Sequence, residues 1–239
     1  MRRINLITAL LLSLTLTTAY SQTLNLKKVF SKKSNAEIPI NTEAGEFEAN
    51  GIRYKAINNT DAVVIPQRAS GDIYIPKTVK NNGKTYKVTK VSDRAFAGNK
   101  RLRTVNISDT EISEIGNAAF SGCMFLNCVS MPNTVTRIGD DAFHMTNISA
   151  IELPTSLRTL GKRAFYFSAI KEVSLPEGLT KIDSRTFSGC ASMTEVKVPT
   201  SVEAISDDAF ENSPMLKKID VASGNKTFVS STDGKIHRK

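Results

Sequence analysis

Residues 135–143 read Val-Thr-Arg-Ile-Gly-Asp-Asp-Ala-Phe, and the same frame of two aliphatic residues, a small residue and a phenylalanine returns five more times. Successive phenylalanines are separated by 22 to 24 residues. They are Phe96, Phe120, Phe143, Phe165, Phe187 and Phe210. A period of this length is typical of solenoids, in which each unit buries its apolar face by stacking on the next.

The apolar positions around each phenylalanine predict where the core lies. Positions eight and five before it are aliphatic in every unit: Val88 and Val91, Ile112 and Ile115, Val135 and Ile138, Leu157 and Leu160, Leu179 and Ile182, Val202 and Ile205. After it, apolar and polar residues alternate, as in Ile151 and Leu153 of the third unit, which predicts a short strand. We therefore expect strands stacked about 4.8 Å apart around a column of phenylalanine rings.

Short motifs around these positions carry a family resemblance. Ile115-Gly116, Ile138-Gly139 and Leu160-Gly161 precede Ala-Phe pairs, and Gly122-Cys123 and Gly189-Cys190 follow them. In these motifs the chain from about residue 50 onward resembles the BspA-like leucine-rich repeat, although Ser92, Asp183 and Ser206 replace the glycine. The resemblance implies a leucine-rich-repeat solenoid of the α/β horseshoe-like class, β-rich with short helical turns. About six repeats of 22–24 residues and an N-terminal β cap are expected.

The N-terminal segments predict that the protein is exported. Arg2, Arg3 and the apolar run from Ile7 to Leu16 predict a signal peptide over residues 1–21. An uncleaved anchor is the alternative, since no charge occurs from Ile4 to Leu26, but the apolar run is shorter than the ~20 residues of a membrane span. The polar residues 22–47 predict a flexible leader.

Two further segments complete the predicted organisation. Residues 48–87 resemble the family's N-terminal β cap, with a hairpin at Asn82-Gly83. Residues 88–239 form the predicted solenoid with a partial C-terminal cap. The protein is expected at the cell surface, outside the cell or in the periplasm, with no membrane span after signal cleavage.

The formal net charge is +9, and removal of the signal segment lowers it to +7. A positive exported protein favours acidic macromolecular partners, protein or glycan, and not nucleic acid. Stacking sets several cations along one flank, which makes a candidate ligand-binding stripe of Lys90, Arg137, Arg158 and Lys181. The alternative is a row of solvated charges, because Glu114 and Glu203 interrupt it.

No constellation for catalysis, cofactor binding or metal binding is expected. The histidines, His144 and His237, are far apart in the repeat series, and Asp140-Asp141 is positioned to cap a short helical turn in preference to binding calcium. Cys123 and Cys190 are expected to be buried thiols, whereas Cys128 should face outward, which leaves intermolecular pairing open. Without Trp or a recurrent exposed Tyr, no aromatic platform for sugars is expected.

The resemblance implies a function without chemistry. It favours a secreted or cell-surface binding and adhesion module that recognises a host matrix protein or an anionic glycan. The alternative is a periplasmic or envelope scaffold that binds the cell's own proteins or glycans.

Overall fold

A computed structural model describes residues 45–239, in which short β-strands wind into a solenoid and no α-helix forms. The predicted signal peptide over 1–21 and residues 22–44 of the predicted leader lie outside the described residues. The first strand begins at Glu46 and buries Phe47, so the last residues of that leader belong to the cap. Within 45–239, no helix has the length and apolarity needed to cross a membrane.

Eighteen strands form in the described part of the chain. In chain order they are β1 (Glu46–Ala49), β2 (Ile52–Ala56), β3 (Asp61–Val64), β4 (Gly71–Tyr74), β5 (Thr78–Asn81), β6 (Lys84–Val91), β7 (Leu102–Asn106), β8 (Glu114–Ile115), β9 (Cys128–Ser130), β10 (Arg137–Ile138), β11 (Thr159–Leu160), β12 (Glu172–Ser174), β13 (Lys181–Ile182), β14 (Glu195–Val198), β15 (Ala204–Ile205), β16 (Lys218–Val221), β17 (Phe228–Val229) and β18 (His237–Arg238).

Two of the three sides of the solenoid are parallel ladders. The first strand face runs β3-β6-β8-β10-β11 and resumes as the pair β13-β15. The second strand face runs β4-β7-β9 and resumes as β12-β14-β16. The predicted strand around Ile151 and Leu153 is not formed. At that level a backbone bond from Lys171 N to Ser149 O links the turns, and both apolar side chains still pack against the core.

The cap at the N-terminal end is the expected β structure. Strands β1, β2 and β3 pair antiparallel, and β3 then pairs parallel with β6, so the cap continues directly into the first strand face. Asn82 and Gly83 connect the antiparallel strands β5 and β6 and have φ angles of 47° and 75°. Positive φ at both central residues is the geometry of a tight hairpin, which confirms the hairpin prediction.

The third side, which we call the turn face, consists of the turns that carry the six phenylalanines. Backbone N–H groups on this face donate to carbonyls of the next turn, as in Arg94 N to Asn117 O (2.8 Å) and Phe96 N to Ala119 O (2.7 Å). The residue two positions before the phenylalanine has φ between 52° and 56° in five turns: Arg94, Ala118, Asp141, Arg163 and Arg185. A left-handed residue cannot continue a helix, so the predicted short helical turns are non-helical hydrogen-bonded turns.

The predicted helix cap at Asp140 is consequently wrong. Its Oδ1 accepts a hydrogen bond from the backbone N–H of Lys162 in the next turn (2.9 Å). Asp93 and Asn117 make the equivalent bonds, to Asn117 N and Asp140 N. These side chains therefore join successive turns instead of capping a helix within one turn.

A stack of phenylalanine rings fills the centre of the solenoid, as predicted. Neighbouring ring centroids lie 5.3 Å apart from Phe96 through Phe165, then 5.5 Å and 5.8 Å apart to Phe210. No adjacent pair in this column is tilted by more than 9°. Five of the rings are fully buried, and Phe210 at the end is 8% exposed. The column and the flanking aliphatic residues form one continuous core.

Glycine in the Ile-Gly motif permits the close stacking of turns. A Cβ at Gly139 would lie 2.7 Å from Asn117 N and 2.8 Å from the carbonyl carbon of Gly116, both in the preceding turn. At Gly116 and Gly161 the nearest backbone atom of the preceding turn would lie closer still, 2.5 Å from an added Cβ. Asp183 occupies this register one turn later, and there the first strand face is interrupted between β11 and β13.

The C-terminal end is covered by the antiparallel pair β17-β18. Asn225 is fully buried, and its Nδ2 donates to the carbonyls of Pro199 and Val202 at 2.9 Å and 2.8 Å. Its Oδ1 accepts from the N–H of Thr227 and Phe228. One side-chain amide thus satisfies four backbone groups and fixes the terminal segment to the last turns.

Candidate binding groove on the turn face

A shallow groove of about 450 Å³ runs along the turn face. Two columns of side chains line it, one from two positions before each phenylalanine and one from the position just after it. The first column is Arg94, Ala118, Asp141, Arg163 and Arg185, and the second is Ala97, Ser121, His144 and Tyr166. We call this the turn-face groove.

The charge of the turn-face groove comes from three exposed arginines. Arg163 donates through Nε and Nη2 to the two carboxylate oxygens of Asp141, both at 2.8 Å. Arg185 pairs more loosely with Asp208, at 3.4 Å. Within residues 45–239 no carboxylate lies within ion-pair distance of Arg94. The residues that line the groove therefore carry three positive charges and one negative charge.

An aromatic cluster lies beside these arginines. The rings of His144 and Tyr166 stack with centroids 5.4 Å apart and planes 24° apart, and Phe167 meets Tyr166 at 4.5 Å with a 58° tilt. Phe167 is 52% exposed, and its ring covers Gly189 of the next turn, where an added Cβ would lie 2.8 Å from a ring carbon. The sequence predictions, which considered only recurrent exposed tyrosine or tryptophan, did not include this cluster.

Sequence reasoning missed this cluster because its rings do not recur at one register. His144 and Tyr166 follow the phenylalanine directly in successive units, and Phe167 occupies the next position, where Gly98, Gly122 and Gly189 stand in other units. The available signal was a run of large side chains at a register that is otherwise small.

The pKa of the His144 imidazole lies below its usual value, which favours the uncharged form at neutral pH. Burial lowers the pKa of its imidazole, Asp141 opposes this and Arg163 adds to it. Its Nδ1 lies 3.3 Å from the Ser121 hydroxyl oxygen. The positive charge of the groove at neutral pH therefore belongs to the arginines.

The residues predicted as a basic stripe lie on or beside the first strand face, and none of them lines the turn-face groove. Lys90 and Arg137 are brought together by Glu114, which lies 3.1 Å and 3.2 Å from them. Lys181 pairs with Asp183 at 2.8 Å, and the Arg158 guanidinium donates to the carbonyls of Thr155 and Leu157. Lys90 and Arg137 share one register row with Glu114 between them, and the part of the four residues in ligand binding stays a prediction.

The two thiols predicted to be buried are buried, whereas Cys128, predicted to face outward, is partly covered. Cys123 and Cys190 are buried and donate to the carbonyls of Phe96 and Phe165, whereas Cys128 is half-buried. Burial raises the pKa of Cys123 to about 11 and also raises the pKa of Cys190 and of Cys128. Across residues 45–239, no three His, Cys, Asp or Glu side chains converge in a way that would hold a metal ion.

Thiol alkylation should separate these cysteines. At pH 8 the folded protein should react slowly at Cys128 alone, because the other two are inaccessible and a raised thiol pKa leaves little thiolate. All three should react in denaturant. Mass spectrometry of alkylated peptides measures this, and Cys128→Ser should abolish native labelling. Rapid native labelling of Cys123 would contradict its burial beneath the turn face.

The structure has the features of a leucine-rich-repeat protein. Short parallel strands stack with a period of about 23 residues, and turns with glycine at their close contacts surround a column of rings. The sequence profile of the BspA type leucine rich repeat region matches six copies over residues 74–173 and 113–232. The chain belongs to this family. No protein with a curated functional description matches the chain.

Solved structures agree with this fold. A leucine-rich repeat protein of T. pallidum is 25% identical with a TM-score of 0.63, covering 71% of this chain and 78% of that one. The pneumococcal vaccine antigen PcpA is 23% identical with a TM-score of 0.61, covering 83% and 55%. A Bacteroides ovatus leucine-rich repeat protein is 22% identical with a TM-score of 0.54, covering 82% and 54%. This chain spans about half the length of the latter two.

Proposed function

We propose that this protein is an exported, non-enzymatic binding module that holds an acidic macromolecule, a host matrix protein or an anionic glycan, on its outer surface. The observation that carries this proposal is the turn-face groove, in which three exposed arginines lie beside a partly exposed ring cluster on a hydrogen-bonded face. Exposed rings and arginines are the side chains that dominate binding energy at recognition surfaces.

The repeat architecture supports binding by many contacts. Each turn places a side chain at the same register about 4.8 Å from its counterpart in the next turn, so a long ligand meets a regular row. Backbone hydrogen bonds between turns hold that row in place, as in Phe143 N to Ala164 O (2.8 Å). A preformed surface loses little conformational freedom on binding, which favours affinity.

Export is supported by the Arg2-Arg3 and Ile7–Leu16 pattern and by similarity to a protein described as a pneumococcal vaccine antigen. A location at the cell surface is proposed, with the periplasm as the alternative. Labelling of intact cells with a membrane-impermeant amine reagent distinguishes the two. Modification of the protein before lysis supports surface exposure, whereas modification only after disruption of the outer envelope places it in the periplasm.

Binding should depend on charge. We expect the purified protein to bind acidic matrix proteins or anionic glycans on an array, and binding should weaken as salt rises from about 0.1 M to about 1 M, because the Debye length falls from about 10 Å to about 3 Å. A variant carrying Arg94→Gln and Arg185→Gln tests the turn-face groove. The variant Lys90→Ala, Arg137→Ala and Lys181→Ala tests the first strand face.

The two variants identify which surface binds the ligand. Loss of binding in the groove variant alone supports the turn-face groove, and loss in the other variant alone supports the predicted basic stripe. Salt-independent binding that survives both variants would refute charge-led recognition. Absence of binding to every member of the array would refute the proposed function.

A further inference from the structure

Resting on the proposed binding function, we propose that the turn-face groove binds a linear acidic polysaccharide. One sugar ring would stack on the Tyr166 and Phe167 rings, and carboxylate or sulfate groups of the same chain would pair with Arg94 and Arg185. The ligand is thus a chain of anionic sugars that runs along the solenoid axis.

The ring cluster has the form that a sugar requires. Tyr166 is half-buried and contacts the rings of His144 and Phe167, so its position is restricted before a ligand arrives. Phe167 offers an exposed apolar face beside it. The C–H face of a pyranose packs on such rings, while its hydroxyl groups remain in water.

The arginines match an anionic chain longer than one sugar. Arg94 and Arg185 lie in the first and fifth turns, a separation of roughly 19 Å at ~4.8 Å per turn. Their guanidinium groups are exposed, and guanidinium binds carboxylate and sulfate through paired N–H donors. The small side chains of Ala97 and Ala118 line the groove between Arg94 and the ring cluster, which leaves room for a ligand to lie close to the backbone.

An acidic peptide fits this surface less well. The backbone N–H groups of the turn face already bond to the next turn, including Met145 N to Tyr166 O and Phe167 N to Ser188 O. An extended peptide docked there would find few hydrogen-bond partners for its own main chain. Its side chains on one side would repeat about every 6.6 Å, which does not match the ~4.8 Å spacing between turns. A sugar chain carries no amide backbone that needs pairing.

Calorimetry with size-defined sugar chains tests the proposal. The probes are oligogalacturonates for carboxylate, chondroitin sulfate oligosaccharides for sulfate, neutral maltooligosaccharides, and poly-L-glutamate as the acidic peptide. We expect at least one anionic series to bind, with affinity rising with chain length until the chain spans about four turns. Neutral chains and poly-L-glutamate should bind at least tenfold more weakly.

Matched variants locate the contact. Tyr166→Ala should weaken binding roughly tenfold, equivalent to about 1.4 kcal/mol, while Tyr166→Phe keeps the ring and most of the affinity. Arg94→Gln should weaken binding similarly and reduce its salt dependence. Phe125→Ala, at an aromatic that is 60% exposed and outside the groove, should bind as wild type, whereas Lys181→Gln reports on the first strand face. Thermal unfolding confirms that each variant is folded.

Four results would overturn the inference. Equal binding of poly-L-glutamate with no effect of Tyr166→Ala would show attraction by charge alone. Loss of affinity in Lys181→Gln but not in Arg94→Gln would move the site to the first strand face. Binding to matrix proteins with none to any glycan would refute the polysaccharide while the proposed function stands, whereas absence of all binding would refute both.

Discussion

Replacing Phe143 by alanine should lower the free energy of unfolding by about 3–5 kcal/mol, the usual cost of deleting a buried phenylalanine ring. Phe143 is fully buried and stacks at 5.3 Å on Phe120 and on Phe165. Its removal leaves a cavity in the middle of the column. The neighbouring turns cannot close this cavity, because ladder hydrogen bonds fix their spacing.

Urea unfolding followed by far-ultraviolet circular dichroism measures this loss. Phe210→Ala is the matched control at the end of the column, where the ring is 8% exposed and stacks on Phe187 alone. Its loss of stability should be clearly smaller, and Phe143→Leu should fall between the two. Equal losses at Phe143 and Phe210 would contradict a core whose stability depends on continuous stacking.

Replacing Gly139 by alanine should cost about 3 kcal/mol, at the upper end of the usual range for overpacking. The added methyl group would lie within 2.8 Å of backbone atoms of Asn117 and Gly116. Backbone atoms in a ladder cannot move aside as a flexible side chain does. The variant must therefore separate two turns and weaken the hydrogen bond from Gly139 N to Ile115 O.

Thermal unfolding should show a lower melting temperature for Gly139→Ala. Ser92→Ala is the control, because the same register of the first turn already carries a Cβ and should tolerate alanine with little change. A melting temperature for Gly139→Ala equal to that of wild type would show that the turns have slack at this contact. The explanation of the Ile-Gly motif by close backbone approach would then fail.

The fold follows from the sequence because the features that determine it repeat. Phe96 and its five counterparts stand at one period, and a side chain that returns to the same register in every turn must face a shared core. The Asn82-Gly83 hairpin was also predictable, since its turn chemistry is local. Burial of Cys123 and Cys190 follows from the same periodicity.

The turn face was not predictable in the same way. Left-handed geometry is normally signalled by glycine, but Arg94, Ala118 and Asp141 occupy these positions, and the family resemblance implied short helical turns instead. The candidate groove depends on side chains such as Arg94, Tyr166 and Arg185 from different turns. Their proximity results from stacking, and no single repeat carries the pattern.

At Arg94 the left-handed backbone sets thermal stability against affinity for an acidic ligand, although protein engineers usually seek both together. An L-residue in this geometry costs about 1 kcal/mol relative to its relaxed form, and glycine would relieve that cost. The same exchange would remove a cation from the groove. A search for heat-resistant variants should therefore select glycine at this column and recover proteins that melt later but hold an acidic ligand less tightly.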